Sequence, residues 1–219
     1  MDIGFLFDWD GVVIDSHNQH ERSWDLLSAE IGQPLPAGFM KKSFGMRNLD
    51  IFPMWLPDLQ GDKAAITALS NRKEELYREI LRREGIEALP GVKDFLKAAR
   101  AAGIPASVGS STPRENIDTV IEMAGLQGLF DAIVCSDDVT HGKPHPEVFL
   151  TGAQRLHRRP ERCVVFEDAF VGIEAGKSGG MKVVGIATTH PLEKLTQADI
   201  ALESLVGVEP LDLAQRLGL

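Results

Sequence analysis

The stretch Phe5-Leu6-Phe7-Asp8-Trp9-Asp10-Gly11-Val12-Val13-Ile14-Asp15-Ser16 decides the fold. An apolar run that opens almost at the N-terminus ends in two carboxylates at i and i+2, with a glycine directly after them. Ile3, Phe5 and Phe7, with Leu6 between, are apolar on both faces, the pattern of an interior parallel strand. Asp8 and Asp10 then sit at the strand's carboxyl end. Residues two apart on an extended chain point the same way, so both carboxylates can face one site while Trp9 points elsewhere. Gly11 lets the backbone turn sharply there. Two ionised carboxylates at this spacing repel unless a proton, a cation or a basic side chain offsets them, which is a first indication of a metal.

The rest of the chain sets bounds on what such a site can serve. With 219 residues it is long enough for a sizeable core and at most two modest domains. A formal charge of −9 without basic clusters suits neither nucleic acid nor an anionic membrane surface, so any phosphate must be met locally. The two cysteines, Cys135 and Cys163, lie inside apolar strand-like runs and read as buried thiols of a reducing cytosol rather than a disulfide framework. No apolar run approaches the roughly 20 residues that span a bilayer, and no basic region precedes an apolar leader. The expectation is a cytoplasmic, monomeric protein with no membrane or nucleic-acid partner.

From His17 to Gly85 the apolar spacing is helical. Trp24, Leu27 and Ile31 fall at i, i+3, i+7 before Gly32, and residues 63–83 form a long helix with Leu69, Leu76 and Ile80 on one side. Phe39, Phe44, Phe52 and Trp55 between them suggest a small helical core. After Leu89 the character changes. Strands are expected at 104–109, 132–136, 162–166 and 182–187, with helices at 92–102, 113–124, 146–156 and 169–178. Regular βα alternation implies an α/β fold: a Rossmann-like parallel sheet with helices on both faces. Strand 1 has to join that sheet, so the helical segment is an insertion after it. The expected division is an α/β core of residues 1–16 and 88–219 and a helical-bundle cap of residues 17–87.

In open parallel sheets ligands bind just beyond the carboxyl ends of the strands. Asp8 and Asp10 follow strand 1, Ser110-Ser111-Thr112-Pro113 follows the second strand, Gly142-Lys143-Pro144 the third and Glu167-Asp168 the fourth. Four carboxylates, a hydroxyl and a lysine would converge on one edge. Hard oxygen ligands without matching His or Cys suit Mg2+ rather than zinc. A magnesium site with a hydroxyl, an ammonium and a helix N-terminus is a phosphoryl site. Thr112-Pro113-Arg114-Glu115 reads as a capping box that occupies Thr112 and leaves Ser110 for an anion. Gly142 and Pro144 fix the backbone around Lys143, and Gly172 and Gly176 permit close packing on the sheet.

Asp8-Trp9-Asp10-Gly11-Val12, Ser110, Lys143 and Glu167-Asp168, in that order and on those elements, resemble the four motifs of the haloacid dehalogenase superfamily. The helical insertion directly after the first motif is similar to the beta-phosphoglucomutase and small-phosphatase branch. The resemblance implies that Asp8 is a nucleophile forming an aspartyl-phosphate and that Asp10 is the general acid, then base. It implies Mg2+ held by Asp8, the Asp10 carbonyl and Asp168, with Glu167 bound directly or through water. Ser110 and Lys143 would grip the phosphoryl group, with Ser111 beside them on the substrate. In the cap, His20, Trp24, Arg47 and Lys73 match positions that line the closed site in beta-phosphoglucomutase. His17, His141, His145, His157 and His190 receive no role. Trp9 and Gly109 depart from the usual residues at their positions, and Trp9 is expected to narrow the pocket.

The function expected is a Mg2+-dependent phosphatase of a small phosphorylated metabolite, in the first instance a sugar phosphate. The alternative is a beta-phosphoglucomutase interconverting beta-glucose 1-phosphate and glucose 6-phosphate, for which Arg47 and Lys73 would clamp a second phosphate. A haloacid dehalogenase has no use for the Asp10 and Glu167-Asp168 shell. A phospho-acceptor domain would carry its acceptor aspartate on a later strand and lack the insertion.

Overall fold

The computed structural model describes residues 2–43 and 45–219; Phe44, grouped above with the helical core, lies outside them. In chain order, β1 (Gly4–Phe7) is followed by four helices, α1 (His17–Ile31), α2 (Phe39–Ser43), α3 (Asn48–Trp55) and α4 (Lys63–Glu84). Then come α5 (Val92–Ala101), β2 (Ala106–Gly109), α6 (Arg114–Met123), β3 (Ala132–Val134) and α7 (Glu147–Arg155). The chain continues through β4 (Cys163–Glu167), α8 (Phe170–Ser178), β5 (Lys182–Ile186), β6 (Ile200–Leu202) and α9 (Pro210–Arg216). It divides into two compact units, Met1–Asp15 with Glu87–Leu219, and Ser16–Ile86.

The first unit is the α/β fold that the alternation implies. Its six strands lie in the order β3-β2-β1-β4-β5-β6, every pairing parallel, with β1 in the interior. Successive residues of β1 face opposite sides, and both sides are covered by helices. On one side Phe7 stacks on its register partner Phe166 at 4.4 Å between ring centroids, and Phe5 and Phe7 meet Phe95 of α5. On the other side Leu6 and Val165 pack with Phe149 and Ala153 of α7 and Ile173 of α8. Gly176 behaves as expected, since a Cβ there would fall 2.8 Å from Val183 Cγ2.

The start of one strand at each side of the sheet is pinned by an aspartate that precedes its outer neighbour. Asp131, ahead of β3, donates its N–H to Ala106 O and accepts the Ala106 N–H on Oδ2. Asp199, ahead of β6, makes the same pair of bonds with Val183 of β5. β3 ends two residues short of expectation, because the Cys135 N–H is given to Asp138 Oδ2 at 2.9 Å and the chain turns into a 3-10 segment at Ser136–Asp138. β6 and α9 were not expected; β6 has only three residues at the sheet edge, too few to show a period.

The second unit is helical. Gly32, at φ +65°, ends α1 as expected, and Asp62 caps α4 by accepting the Ala65 N–H. Trp24, Leu27, Phe39, Ile51, Phe52, Trp55, Ile66 and Leu76 form its core. Where the chain leaves the α/β unit and returns to it, Ile14 and Ala88 form an antiparallel bridge and the Leu89 N–H donates to Val13 O. Among the described residues no helix is long and apolar enough to cross a membrane.

Candidate active site

Asp8 leaves β1 with its N–H on Phe166 O, and the chain then winds into a tight turn in which Trp9 O accepts the N–H groups of Val13 and Ile14. Gly11 sits in this turn at φ +86°, and a Cβ there would fall 2.0 Å from Asp168 Oδ2. Glycine is needed both for the turn and for the room it leaves to a carboxylate from β4's end. Gly172, within α8, likewise leaves room for a carboxylate, since a Cβ there would lie 1.6 Å from Glu167 Oε1. Its expected close packing on the sheet is met at the end of β4, where Gly172 makes space for the Glu167 carboxylate.

Into this space reaches Lys143, from the loop between β3 and α7. Its Nζ donates to Asp8 Oδ1 and to Glu167 Oε1, each at 2.6 Å, with its side chain only 4% exposed. Phe149 lies under the ammonium at 4.8 Å. The second Glu167 oxygen accepts the Ala169 N–H, and Asp168 Oδ2 accepts the Thr189 hydroxyl. Asp168 Oδ1 is buried with no hydrogen-bond partner.

Three carboxylates thus face one ammonium, and the electrostatics follow. Burial, opposed by Lys143 and reinforced by Glu167, raises the Asp8 carboxyl to about 7. Asp168 is raised well above its ordinary value by burial, then by Glu167 and Asp8. Lys143 is raised too, because Asp8 and Glu167 more than offset the burial that opposes its charge. Asp8, Glu167 and Asp168 each offer an oxygen, all within 4.8 Å of one another. An all-oxygen set carrying two uncompensated negative charges when ionised, with one orphaned buried oxygen, fits a hard divalent cation such as Mg2+. The Asp10 carboxylate lies outside this set: its Oδ2 accepts from Thr112 Oγ1 at 2.9 Å.

That bond overturns the expected capping box. α6 begins at Arg114, Pro113 stands at the cap with no side-chain bond, and the Thr112 hydroxyl is given to Asp10. Pro113 at ψ 152° sets Thr112 outside the helix, so a cap from residue 112 would come one position early. Ser110, buried, accepts the Thr112 N–H on Oγ at 3.0 Å, which leaves its own hydroxyl hydrogen to be donated. Ser111 is half-buried in the same turn. Trp9 does not line an open pocket: it is fully buried against Phe130.

In the helical unit, His20, Trp24 and Lys73 are brought together. Lys73 Nζ lies 2.7 Å from His20 Nδ1, donates to Glu74 Oε1 at 3.0 Å, and sits over the Trp24 and Tyr77 rings. Trp24, only 3% exposed, is part of that unit's core, where its ring meets Phe39, Phe52 and Trp55. Arg47 stands at the entry to α3 and is forked onto Asp50, with Nε 2.9 Å and Nη2 3.2 Å from the two carboxylate oxygens. Asn48 bonds Glu74 and so joins α3 to the Lys73 cluster.

Two functional contacts lay beyond the sequence reading. Thr112 holds Asp10 and Thr189 holds Asp168. Thr189 follows β5 closely, so the strand-end rule that found the other residues, applied once more, would have found it.

The family described as hydrolase, haloacid dehalogenase-like hydrolase matches residues 4–180. The chain is 33% identical over 214 residues to the chloroplastic 5-amino-6-(5-phospho-D-ribitylamino)uracil phosphatase of Arabidopsis thaliana, covering 96% of this chain and 57% of that one. It is 33% identical over 183 residues to the fructose-1-phosphate phosphatase YqaB of Escherichia coli K12, covering 84% of this chain and 95% of that one. Among solved structures, a beta-phosphoglucomutase from Clostridium difficile superimposes with a TM-score of 0.86, at 24% identity over 100% of this chain and 98% of that one.

Proposed function

The chain belongs to the haloacid dehalogenase-like hydrolase family, and from that premise we propose that it is a Mg2+-dependent phosphatase of a small phosphorylated, polyhydroxylated metabolite, acting through Asp8. The observation that carries the proposal is the Lys143 ammonium shared between Asp8 and Glu167, beside the orphaned Asp168 oxygen. Both relatives named above are phosphatases named for a phosphate ester on a sugar or a sugar-derived chain, which supports the substrate class. The two buried free thiols, Cys135 and Cys163, support a reducing, cytoplasmic setting.

Asp8, Glu167 and Asp168, with the Asp10 main chain, would hold Mg2+, which when bound neutralises the carboxylates and draws charge from the phosphoryl oxygens. Lys143 opposes the burial that favours protonated Asp8, an effect a bound Mg2+ would complete, and places a positive charge beside the incoming phosphoryl group. Ser110 donates its hydroxyl to a phosphoryl oxygen. An Asp8 oxygen attacks phosphorus, the ester P–O bond breaks, and Asp10 gives its proton to the departing alcohol oxygen. Asp10 then takes a proton from water as that water attacks the phosphorus of the aspartyl-phosphate, and Asp8 and orthophosphate are released. Thr112, bonded to the Asp10 carboxylate, holds it in one orientation for both proton transfers.

A mutase needs cations kept for a second phosphate. Here Arg47 is spent on Asp50 and Lys73 on Glu74, which favours hydrolysis. A phosphorus NMR time course with Mg2+ and a panel of sugar and polyol phosphates tests this. Orthophosphate that accumulates only with Mg2+, and is lost in Asp8→Asn, is the expected result. Isomerised ester without orthophosphate would make the chain a mutase, and turnover of no phosphate ester would overturn the proposal.

A further inference from the structure

The loop that presents Lys143 carries a second group of potential ligands. His141 and His145 stand two residues to either side of the lysine, and Glu147 opens α7. His141 Nδ1 lies 2.9 Å from Glu147 Oε2, His145 Nδ1 lies 3.9 Å from the same oxygen, and the two imidazole centroids are 4.6 Å apart. One ligand atom from each residue lies within 4.8 Å of the others. An ion bound at about 2.0–2.2 Å to each of three ligands requires them roughly 3–4 Å apart, so only small rotations separate this arrangement from a coordination shell.

We propose that His141, His145 and Glu147 form a second metal site, one for a borderline transition ion such as Zn2+, chemically distinct from the carboxylate cluster. Two imidazoles and one carboxylate suit Zn2+ or Co2+, whereas the all-oxygen cluster suits Mg2+. The site is built rather than incidental. The Glu147 carboxylate is fixed by accepting the Thr140 N–H on Oε1 and the His141 N–H on Oε2, each at 2.9 Å. Between the histidines the backbone is stiffened by Pro144 and closed by the His145 N–H on Gly142 O at 3.0 Å. His141 and His145 side chains are 63% and 51% exposed, so an ion reaches them without opening the fold and water completes its shell.

The test is titration of the whole protein with Co2+ under excess Mg2+, which keeps the carboxylate cluster filled, followed by visible absorption and calorimetry. One additional equivalent is expected, weakened about 10-fold or more in His141→Ala and in His145→Ala, with Mg2+-supported turnover of an aryl phosphate unchanged and His157→Ala behaving as the unmutated chain. In the unmutated protein Zn2+ must also shift the imidazole resonances of His141 and His145. Absence of uptake under Mg2+, uptake unaltered in both variants, or resonances that stay in place would each overturn the proposal.

Discussion

At Asp8 the ordinary order of carboxyl chemistry is inverted. Its folded value of about 7 lies above its ordinary 3.8, so between those values the folded metal-free protein holds a proton that the unfolded chain has released. Stability of the metal-free protein therefore falls as pH rises through that window, and thermal melts in EDTA should show that slope while melts in saturating Mg2+ should not. Asp8→Asn should lessen the slope, leaving the part that belongs to Asp168, keep the fold and abolish turnover; substantial remaining turnover would refute the nucleophile assignment. Asp168→Asn keeps an acceptor for Thr189 and removes a carboxylate from the proposed Mg2+ set, so the rise in Tm that Mg2+ gives the unmutated protein should be lost in thermal melts. Gly172→Ala places a methyl against the Glu167 carboxylate, and weaker Mg2+ binding with a fall in kcat is expected from a titration of activity against metal. The residue types at the strand ends were legible because a parallel strand ending in charge demands compensation. The partners of those residues were not. Nothing in one-dimensional spacing distinguishes a threonine that caps a helix from one that holds a carboxylate 102 positions away.

The elements were legible wherever they are long enough to show a period. α4 and the alternating βα units follow from their apolar spacing, while β6 is too short to reveal one. The entry to α6 shows where local grammar misleads. Threonine, proline and glutamate stand in the order of a capping box, yet the chain uses Pro113 as the cap and directs Thr112 into the site. Thr112→Val discriminates the two roles. A lost cap would cost about 0.5–2 kcal/mol of stability; a lost hold on Asp10 should instead lower kcat by ~10-fold with KM nearly unchanged. A melt alongside steady-state kinetics decides between them, and a lowered Tm with unaltered kcat would restore the cap.

On the scale of the whole molecule, sequence alone separates an α/β unit from a helical insertion because hydrophobic periodicity switches after Leu89. It could not show that the points of departure and return are tied to each other by the Ile14–Ala88 bridge and the Leu89 to Val13 bond. That tie gives the α/β unit the character of a socket. Its two lips are held together by the sheet-side chain itself, so the span between them closes a gap that is already closed, and the entropy of joining them varies only slowly with what is joined. Replacing Ser16–Ile86 by a short Gly-Ser turn should leave a unit that still unfolds cooperatively and still answers to Mg2+ in a thermal melt; a chain without a cooperative transition would refute this. Grafted helical modules of other lengths should be accepted at the same lips, each leaving the cooperative melt of the α/β unit in place.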